Sequence, residues 1–241
     1  MDAETAAQLL ALNRNFYTQF GASFSATRHR LQPGVQQILS RLHGNETILD
    51  LGCGNGELAR VLARRGHQGA YLGLDFSLPL LQEAQPQPDS IRFVEADLTQ
   101  LAAILPQLPR EGPWQLITAF AVLHHIPSTE LRLDLLRAVR TLMAVNGRFI
   151  LSNWQFLKSE SLRARIQPWE AAALSSSAVD PEDYLLDWRS DGYGLRYVHH
   201  FSEEELTVLA QQSGFVVEQT FYADGRSGNL SLYQIWVPNS P

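Results

Sequence analysis

The sequence predicts an α/β fold, a largely parallel sheet with helices on both faces, and three observations carry that expectation. The stretch 47–57, TILDLGCGNGE, runs from β-branched and leucine residues through Asp50 into glycines at Gly52, Gly54 and Gly56. Such a run reads as a buried parallel strand followed by a turn where backbone must pass close to a ligand, and residues 57–65 then take up helical periodicity. Two later apolar runs, Tyr71–Asp75 and 91–98, end in acids at Asp75 and Asp97. A fourth, WQLITAFAVLHH at 114–125, runs into a polar tip at His124 and His125. Strand ends that gather polar groups beside a glycine turn opening a helix make a nucleotide-type site at the carboxyl edge of a sheet.

In chain order, Leu9, Leu12, Phe16, Tyr17 and Phe20 have helical spacing over 3–20, and GASFSATRHR at 21–30 should break that helix. Pro33-Gly34 starts a short helix to Leu42. Because this segment precedes the first strand, residues 1–44 are expected to cap the site. Stretches 85–90 and 106–113 read as loops. Ser128 is a helix N-cap with Glu130 in the first turn, and the helix is expected to reach Met143. Asn146-Gly147 reads as a tight turn into a fifth strand, 148–154. Beyond Trp154 the βα rhythm is lost: 156–173 reads as helical, 174–180 as a serine-rich loop and 181–200 as irregular and aromatic. Ser202-Glu-Glu-Glu205 is a capping box for a helix to Ser213, which Gly214 ends. Residues 215–222 and 230–237 read as closing strands joined by ADGRSGN. One domain over 1–241 is expected, with 155–201 an insertion lying over the strand ends, where an acceptor would bind.

The composition bounds the function. A chain of 241 residues, 45% hydrophobic and 18% charged, can bury a sizeable core as a soluble globular protein. No apolar run approaches the roughly 18 residues of a membrane span, and MDAETAAQLL lacks the basic start of a signal peptide, so a cytoplasmic protein is expected. Cys53 is the single cysteine, which excludes a disulfide framework and a cysteine zinc site, and it reads as a small packing residue. The net charge of −6 and pI near 5.6 argue against a broadly basic nucleic-acid-binding surface. The charge is unevenly spread. Residues 131–170 hold seven basic side chains against Asp134, Glu160 and Glu170, whereas 180–205 is acidic. Lys158 is the only lysine; the rest are arginines, the better forks for phosphate or carboxylate.

The glycine spacing narrows the ligand. A dinucleotide fingerprint is GxGxxG, whereas here the pattern is D-x-G-x-G-x-G with Asp50 just ahead of the glycines. A carboxylate repels a phosphate but favours an ammonium or sulfonium group, although glycines alone would also serve a plain strand-to-helix turn. The pattern resembles motif I of the class I S-adenosyl-L-methionine (SAM) methyltransferases. That resemblance implies a seven-stranded sheet of order 3-2-1-4-5-7-6 with the seventh strand antiparallel, SAM as cofactor and S-adenosylhomocysteine as product. Asp75 would accept the ribose hydroxyls, and Asp97 with Leu98 would contact the adenine. The cofactor set is completed by Tyr17, Arg28, Asp50, Gly52, Gly54, Asn55, Gly56, Phe76, Ala119, Phe120 and His124.

Methyl transfer from a sulfonium needs alignment and desolvation rather than a catalytic triad. His124 and His125 sit at the tip of strand four, Arg28 is a partner for the SAM carboxylate or the acceptor, and Arg196, Tyr197 and His199 end the insertion. Each has a plainer reading: a structural turn for the histidines, a surface arginine for Arg28, pairing with Asp187 or Asp191 for Arg196. Zinc on His124, His125, His199 and His200 would need adjacent pairs as ligands, a poor spacing, so no metal is expected. Together FYTQFGASFSATRHR, LDLGCGNGE, AVLHH, SNW, DYLLDW and RYVHHFSEEEL resemble the eukaryotic tRNA wobble-uridine methyltransferases over nearly the whole chain. That family esterifies 5-carboxymethyluridine and works with a small activator protein. The resemblance implies an active centre of Arg28, Asp75, His124, His125, Trp154 and Arg196, with tRNA and an activator subunit as partners. The chain departs from the family at Asp187, where proline is usual, and at Leu230, where tryptophan is. A small carboxylic acid is the alternative acceptor, and a SAM-binding module without turnover the contrasting class.

Overall fold

The computed structural model describes residues 1–26, 30–84, 88–109 and 112–239, apart from the side chains of residues 22, 24 and 26. Its elements are α1 (Ala3–Ala26), α2 (Pro33–Leu39), β1 (Ile48–Leu51), α3 (Glu57–Arg64), β2 (Tyr71–Asp75), α4 (Leu78–Ala84), β3 (Ile91–Glu95), α5 (Leu101–Ile104) and β4 (Trp114–Phe120). They continue with α6 (Thr129–Leu142), β5 (Met143–Trp154), α7 (Glu160–Arg163), β6 (Ile166–Gln167), β7 (Asp183–Trp188), β8 (Gly194–His199), α8 (Glu203–Gln212), β9 (Phe215–Ala223) and β10 (Ser231–Pro238).

Seven strands form one sheet in the order β3-β2-β1-β4-β5-β10-β9. β1 to β5 run parallel, and β10 is antiparallel to both β5 and β9. With β9 and β10 as the sixth and seventh strands, this is the expected order. Alternation along the strands sorts the core onto two faces. Ile48, Tyr71, Leu116 and Ile150 pack against α2 and α3, whereas Leu49, Leu72, Ile117 and Leu151 pack against α5, α6 and α8. Buried on both faces, β1 and β2 read as continuous apolar runs. Among the described residues no helix is long and apolar enough to cross a membrane.

Five local expectations are corrected. α1 does not stop at Gly21 but runs on to Ala26; a Cβ at Gly21 would meet Leu80 only at 3.7 Å, so nothing there forces a break. α2 ends at Leu39, three residues short of Leu42. Asn146-Gly147 is not a turn between α6 and β5. It lies within β5, in an irregularity where Met143 faces Trp114 but Arg148 already faces Leu116. The helix expected over 156–173 is replaced by two 3₁₀ turns, the four-residue α7 and β6, and 181–200 is not irregular but contains the β7–β8 hairpin. β6, β7 and β8 form a separate three-stranded antiparallel sheet. One face of this small sheet packs Leu186 and Val198 on Phe156 and carries Arg196 beside them. The other carries buried polar groups, Asp183, Asp187 and His199, which hide the period-2 pattern in the sequence.

Candidate active site

A cleft of 510 Å³ lies at the carboxyl ends of β1, β2, β4 and β5, beneath α1. At one end the glycine loop passes through three left-handed residues, Gly52, Gly54 and Gly56, with φ of 68°, 54° and 74°. Two of them show why side chains are excluded. A Cβ at Gly52 would stand 2.4 Å from Val122 Cγ2, so the loop can pass the strand-four tip only without one. A Cβ at Gly54 would meet nothing within 4 Å, yet the φ there is one that only glycine adopts readily.

Two carboxylates on adjacent strands face this loop. Asp50 accepts from Tyr71 Oη at 2.6 Å and Thr118 Oγ1 at 2.7 Å, and burial pushes its pKa up to about 6 against the help of those hydroxyls. Asp75 accepts from the backbone N–H of Gly54 and of Ser77, each at 2.8 Å, and its pKa is also raised by burial. Neither forms an ion pair with a described side chain. The same burial, with Asp50 and Asp75 nearby, pushes the Cys53 thiol well up, so Cys53 is a packing residue and not a nucleophile. Asp97 accepts from Thr99 N and Oγ1 through one oxygen, and from Arg14 Nη2 at 2.7 Å through the other. Tyr17 packs edge-on to Phe76 with ring centroids 5.9 Å apart, so α1 closes over this end.

The other end is built from α1, β4, β5, β8 and the β9–β10 connection. His124 is buried, and its Nδ1 accepts from the backbone N–H of Trp154 at 3.3 Å. His125 lies between Tyr17, whose hydroxyl is 2.9 Å from Nε2, and the Tyr197 carbonyl, 3.1 Å from Nδ1. These distances fix the tautomer: Nδ1–H donates to the carbonyl, and Nε2 accepts from the phenol. The Arg196 guanidinium is buried between two aromatic faces, 4.9 Å from the Trp154 centroid and 5.4 Å from that of Phe16.

Tyr17, Asp50, Gly52, Gly54, Asn55, Asp75, Phe76, Asp97, Leu98, Phe120, His124, His125, Trp154 and Arg196 thus come together around one cleft. Gly56 stands behind it as the α3 N-cap against Ala84 and Phe93, and Ala119 is buried in the sheet. Arg28 lies outside the described residues. Tyr197 and His199 are corrected. Strand alternation turns Arg196 toward the cleft and Tyr197 and His199 to the opposite face. There Tyr197 Oη donates to Asp183 and accepts from Arg132, while His199 bridges Asp183 at 2.6 Å and Glu205 at 2.9 Å. Asp187 and Asp191 do not take Arg196 either, since Asp187 holds Arg189 and Asp191 holds the Trp188 indole.

Several groups escaped sequence reasoning. Asn13 is buried; its amide donates to the His125 and Tyr197 carbonyls and accepts from Tyr197 N, which locks α1 to β8. Ser25 joins Asn55 to Glu83, tying the end of α1 to the glycine loop. Asp224, at a φ of 71°, accepts from Gly34 N and Tyr233 Oη along the wall of the cleft. The aspartate-glycine turn was a visible signal for Asp224, whereas Asn13 and Ser25 sit in polar positions of a helix and carry none.

Two buried carboxylates without a cation between them, a backbone N–H bound to one of them and an open glycine cradle fit a ligand that carries hydroxyls at one end and positive charge at the other. This is the chemistry of SAM, for which Asp75, Asp50, the Gly52–Gly54 backbone and the Tyr17–Phe76 pair would form the holding groups.

Comparison with known proteins agrees with that fit. Residues 24–220 match a family model described as a methyltransferase domain. A protein of Encephalitozoon cuniculi assigned to the methyltransferases is 28% identical over 84% of this chain and 86% of its own length. The tRNA (carboxymethyluridine(34)-5-O)-methyltransferase of Mus musculus is 26% identical over 73% of this chain, a stretch that is only 26% of the mouse protein. Among solved structures, the Burkholderia thailandensis 1,6-didemethyltoxoflavin-N1-methyltransferase with bound S-adenosylhomocysteine superposes with a TM-score of 0.66 at 18% identity, over 100% of this chain and 92% of that one. A Haloferax volcanii complex between the Trm112 methyltransferase activator and a methyltransferase gives 0.65 at 15% identity, over 95% and 98%. The family match spans most of the chain, and the sheet order and cleft are those of the class I fold. The chain therefore belongs to the methyltransferase domain family and is a SAM-dependent methyltransferase.

Proposed function

We propose that the chain methylates a carboxylate, and that its acceptor is 5-carboxymethyluridine at the wobble position of tRNA. The observation that carries this reading is Arg196, a buried guanidinium stacked on Trp154 at the end of the cleft away from the carboxylates. A guanidinium fork binds a carboxylate through two parallel hydrogen bonds, and an indole at its side offers a surface for a splayed-out base. The likeness to the mouse tRNA methyltransferase supports the same acceptor.

Bound SAM supplies a sulfonium methyl group whose departure needs no proton. A carboxylate is ionised at neutral pH, so the site requires no general base, and its residues serve to orient and to exclude water. Arg196 would aim one carboxylate oxygen at the methyl group, with Trp154 setting the plane of the base. His124 holds the β5 backbone through Trp154 N, and His125 fixes the strand-four tip through Tyr17 and Tyr197. Residues 1–44 act as the cap that keeps water from this alignment, and 155–201 as the insertion that presents Arg196. A small activator subunit is proposed as a partner, in keeping with the Haloferax volcanii complex. A tRNA acceptor would place the enzyme in the cytoplasm.

The test is transfer of radiolabelled methyl from SAM to tRNA bearing 5-carboxymethyluridine, with and without an activator subunit. Incorporation that becomes alkali-labile marks an ester and bears the reading out. Transfer to a small carboxylic acid, with none to tRNA under either condition, would sink it.

A further inference from the structure

Most arginines of this acidic chain are already engaged. Arg14, Arg60, Arg64, Arg132, Arg137, Arg148 and Arg189 pair with carboxylates, Arg41 with Gln219, and Arg140 with the Gly214 carbonyl. Among the described residues, Arg30, Arg65, Arg163, Arg165 and Arg226 have no side-chain hydrogen bond or ion pair. Arg65 caps the C-terminus of α3, at the end of the helix away from the glycine loop. The other four gather at one place. Arg30 itself lines the cleft, Arg163 and Arg165 follow closely on the lining residue Leu162, which packs beside Trp154, and Arg226 lies in the connection between the lining residues Asp224 and Leu230. Arg30, Arg163 and Arg226 are exposed and Arg165 half-buried.

Three segments more than 60 residues apart thus bring four uncommitted guanidinium groups to the rim around Trp154 and Arg196. The carboxylates on the same segments do not neutralise them. Asp224 is buried under Gly34 N and Tyr233, and Glu160, one helical turn from Arg163, forms no ion pair with it. An arrangement that leaves basic forks open in a chain of net charge −6 suits a polyanion whose charges repeat along a strand. A small acid fills only the cleft and has no use for the rim.

We propose that Arg30, Arg163, Arg165 and Arg226 form the docking surface for the phosphodiester backbone of an RNA acceptor, so that one nucleotide reaches Trp154 and Arg196 while its neighbours are held outside. This rests on tRNA being the acceptor. Phosphate contacts set register rather than sequence, so base choice remains with the cleft.

The experiment measures binding of the full chain to tRNA bearing 5-carboxymethyluridine across a KCl series, beside methylation of the free nucleoside 5-carboxymethyluridine. Arg163→Ala/Arg226→Ala should weaken tRNA binding by about tenfold and reduce the slope of log K against log salt by roughly 0.7–0.9 for each phosphate no longer neutralised. SAM affinity and turnover of the nucleoside should stay at the wild-type level, and Arg65→Ala should match wild type throughout. Arg163→Glu, a reversal at an exposed site, should weaken tRNA binding further. Wild-type affinity and slope in the double variant, with tRNA still methylated, would overturn the rim while leaving the acceptor reading in place. A wild-type chain that neither binds nor methylates tRNA would overturn both.

Discussion

The cofactor end of the cleft draws its groups from three consecutive strand ends, Asp50, Asp75 and Asp97, within 48 residues of sequence. The acceptor end draws Phe16 from α1, Trp154 from β5, Arg196 from β8 and Tyr233 from β10, across more than 200 residues. One end is a local motif repeated along a βα rhythm. The other exists only once the chain has folded back on itself. The cofactor end is also acidic, with Arg14 on Asp97 but no ion pair to Asp50 or Asp75 among the described residues, whereas the acceptor end is aromatic and basic. A sulfonium ligand and an anionic acceptor would therefore each meet the opposite charge, and a substitution at one end should leave binding at the other intact.

The largest effect should come from the cofactor end. If Asp75 accepts both ribose hydroxyls, as proposed, Asp75→Ala deletes two bonds to a charged group at about 1.5–3 kcal/mol each. SAM affinity by calorimetry should fall by roughly 10²–10⁴-fold, and Asp75→Asn, which keeps an acceptor oxygen beside Gly54 N, should fall less. A near-wild-type Kd would remove Asp75 from the ribose site. At the other end, Arg196→Ala should leave SAM affinity within about threefold while acceptor kcat/KM drops by roughly 10²–10³, since stripping one partner from a buried charged pair costs about 2–5 kcal/mol. Loss of SAM binding instead would erase the division between the two ends.

The same contrast explains what could be read from the sequence. Asp50, Gly52, Gly54, Asp75 and Asp97 were legible because strand, turn and helix follow one another with fixed spacing, and each acid ends its own apolar run. Arg196 was legible as one of three candidates at the end of the insertion, but Trp154 and its pairing with Arg196 only through family resemblance, because no local rule connects a strand-five tryptophan to an arginine 42 residues later. Reading 181–200 as irregular then carried a second error. Had β8 been recognised as a strand, its alternation would have separated Arg196 from Tyr197 and His199. Buried Asp183, Asp187 and His199 masked that alternation, since each finds a polar partner that no strand pattern announces, Arg132 for Asp183, Arg189 for Asp187 and Glu205 for His199. Asn13 was illegible for a related reason. A polar residue on a helix looks solvent-facing until β8 arrives to use both ends of its amide.

A smaller effect, set by pH, probes Asp50 alone. Its carboxyl is raised from 3.8 in the ordinary state to about 6 in the folded chain, so between those values the fold keeps a proton that the unfolded chain has released. Stability of the ligand-free protein should therefore decline as pH rises from about 4 to about 6, by up to about 3 kcal/mol for a shift of roughly two units. Asp50→Asn should remove this slope in urea unfolding, measured as the difference from wild type. The sign reverses for cofactor binding. A cation favours the ionised carboxylate, so SAM affinity should weaken by up to about tenfold per unit below pH 6 in wild type and less in the variant. A wild-type slope preserved in Asp50→Asn would place the proton elsewhere.

The smallest effect tests Tyr17, a side chain that touches both ends. Tyr17 packs its ring edge against Phe76 beside the cofactor carboxylates, and its hydroxyl reaches His125 Nε2 at the acceptor end. Tyr17→Phe keeps the ring and deletes only the hydroxyl, and with it the 2.9 Å hydrogen bond to His125 Nε2. A neutral hydrogen bond of this kind contributes about 0.5–1.5 kcal/mol, so the two ends should now respond unequally. SAM affinity should change by less than about threefold, because the Phe76 contact survives. Acceptor turnover should fall by about 3–10-fold, because the imidazole loses a hydrogen bond that helps set its plane at the strand-four tip. Equal losses at both ends would mean that α1 closes as one rigid body over the whole cleft. Loss confined to turnover means that the hydroxyl acts through the strand-four tip, and that the two ends share a wall without sharing their energetics.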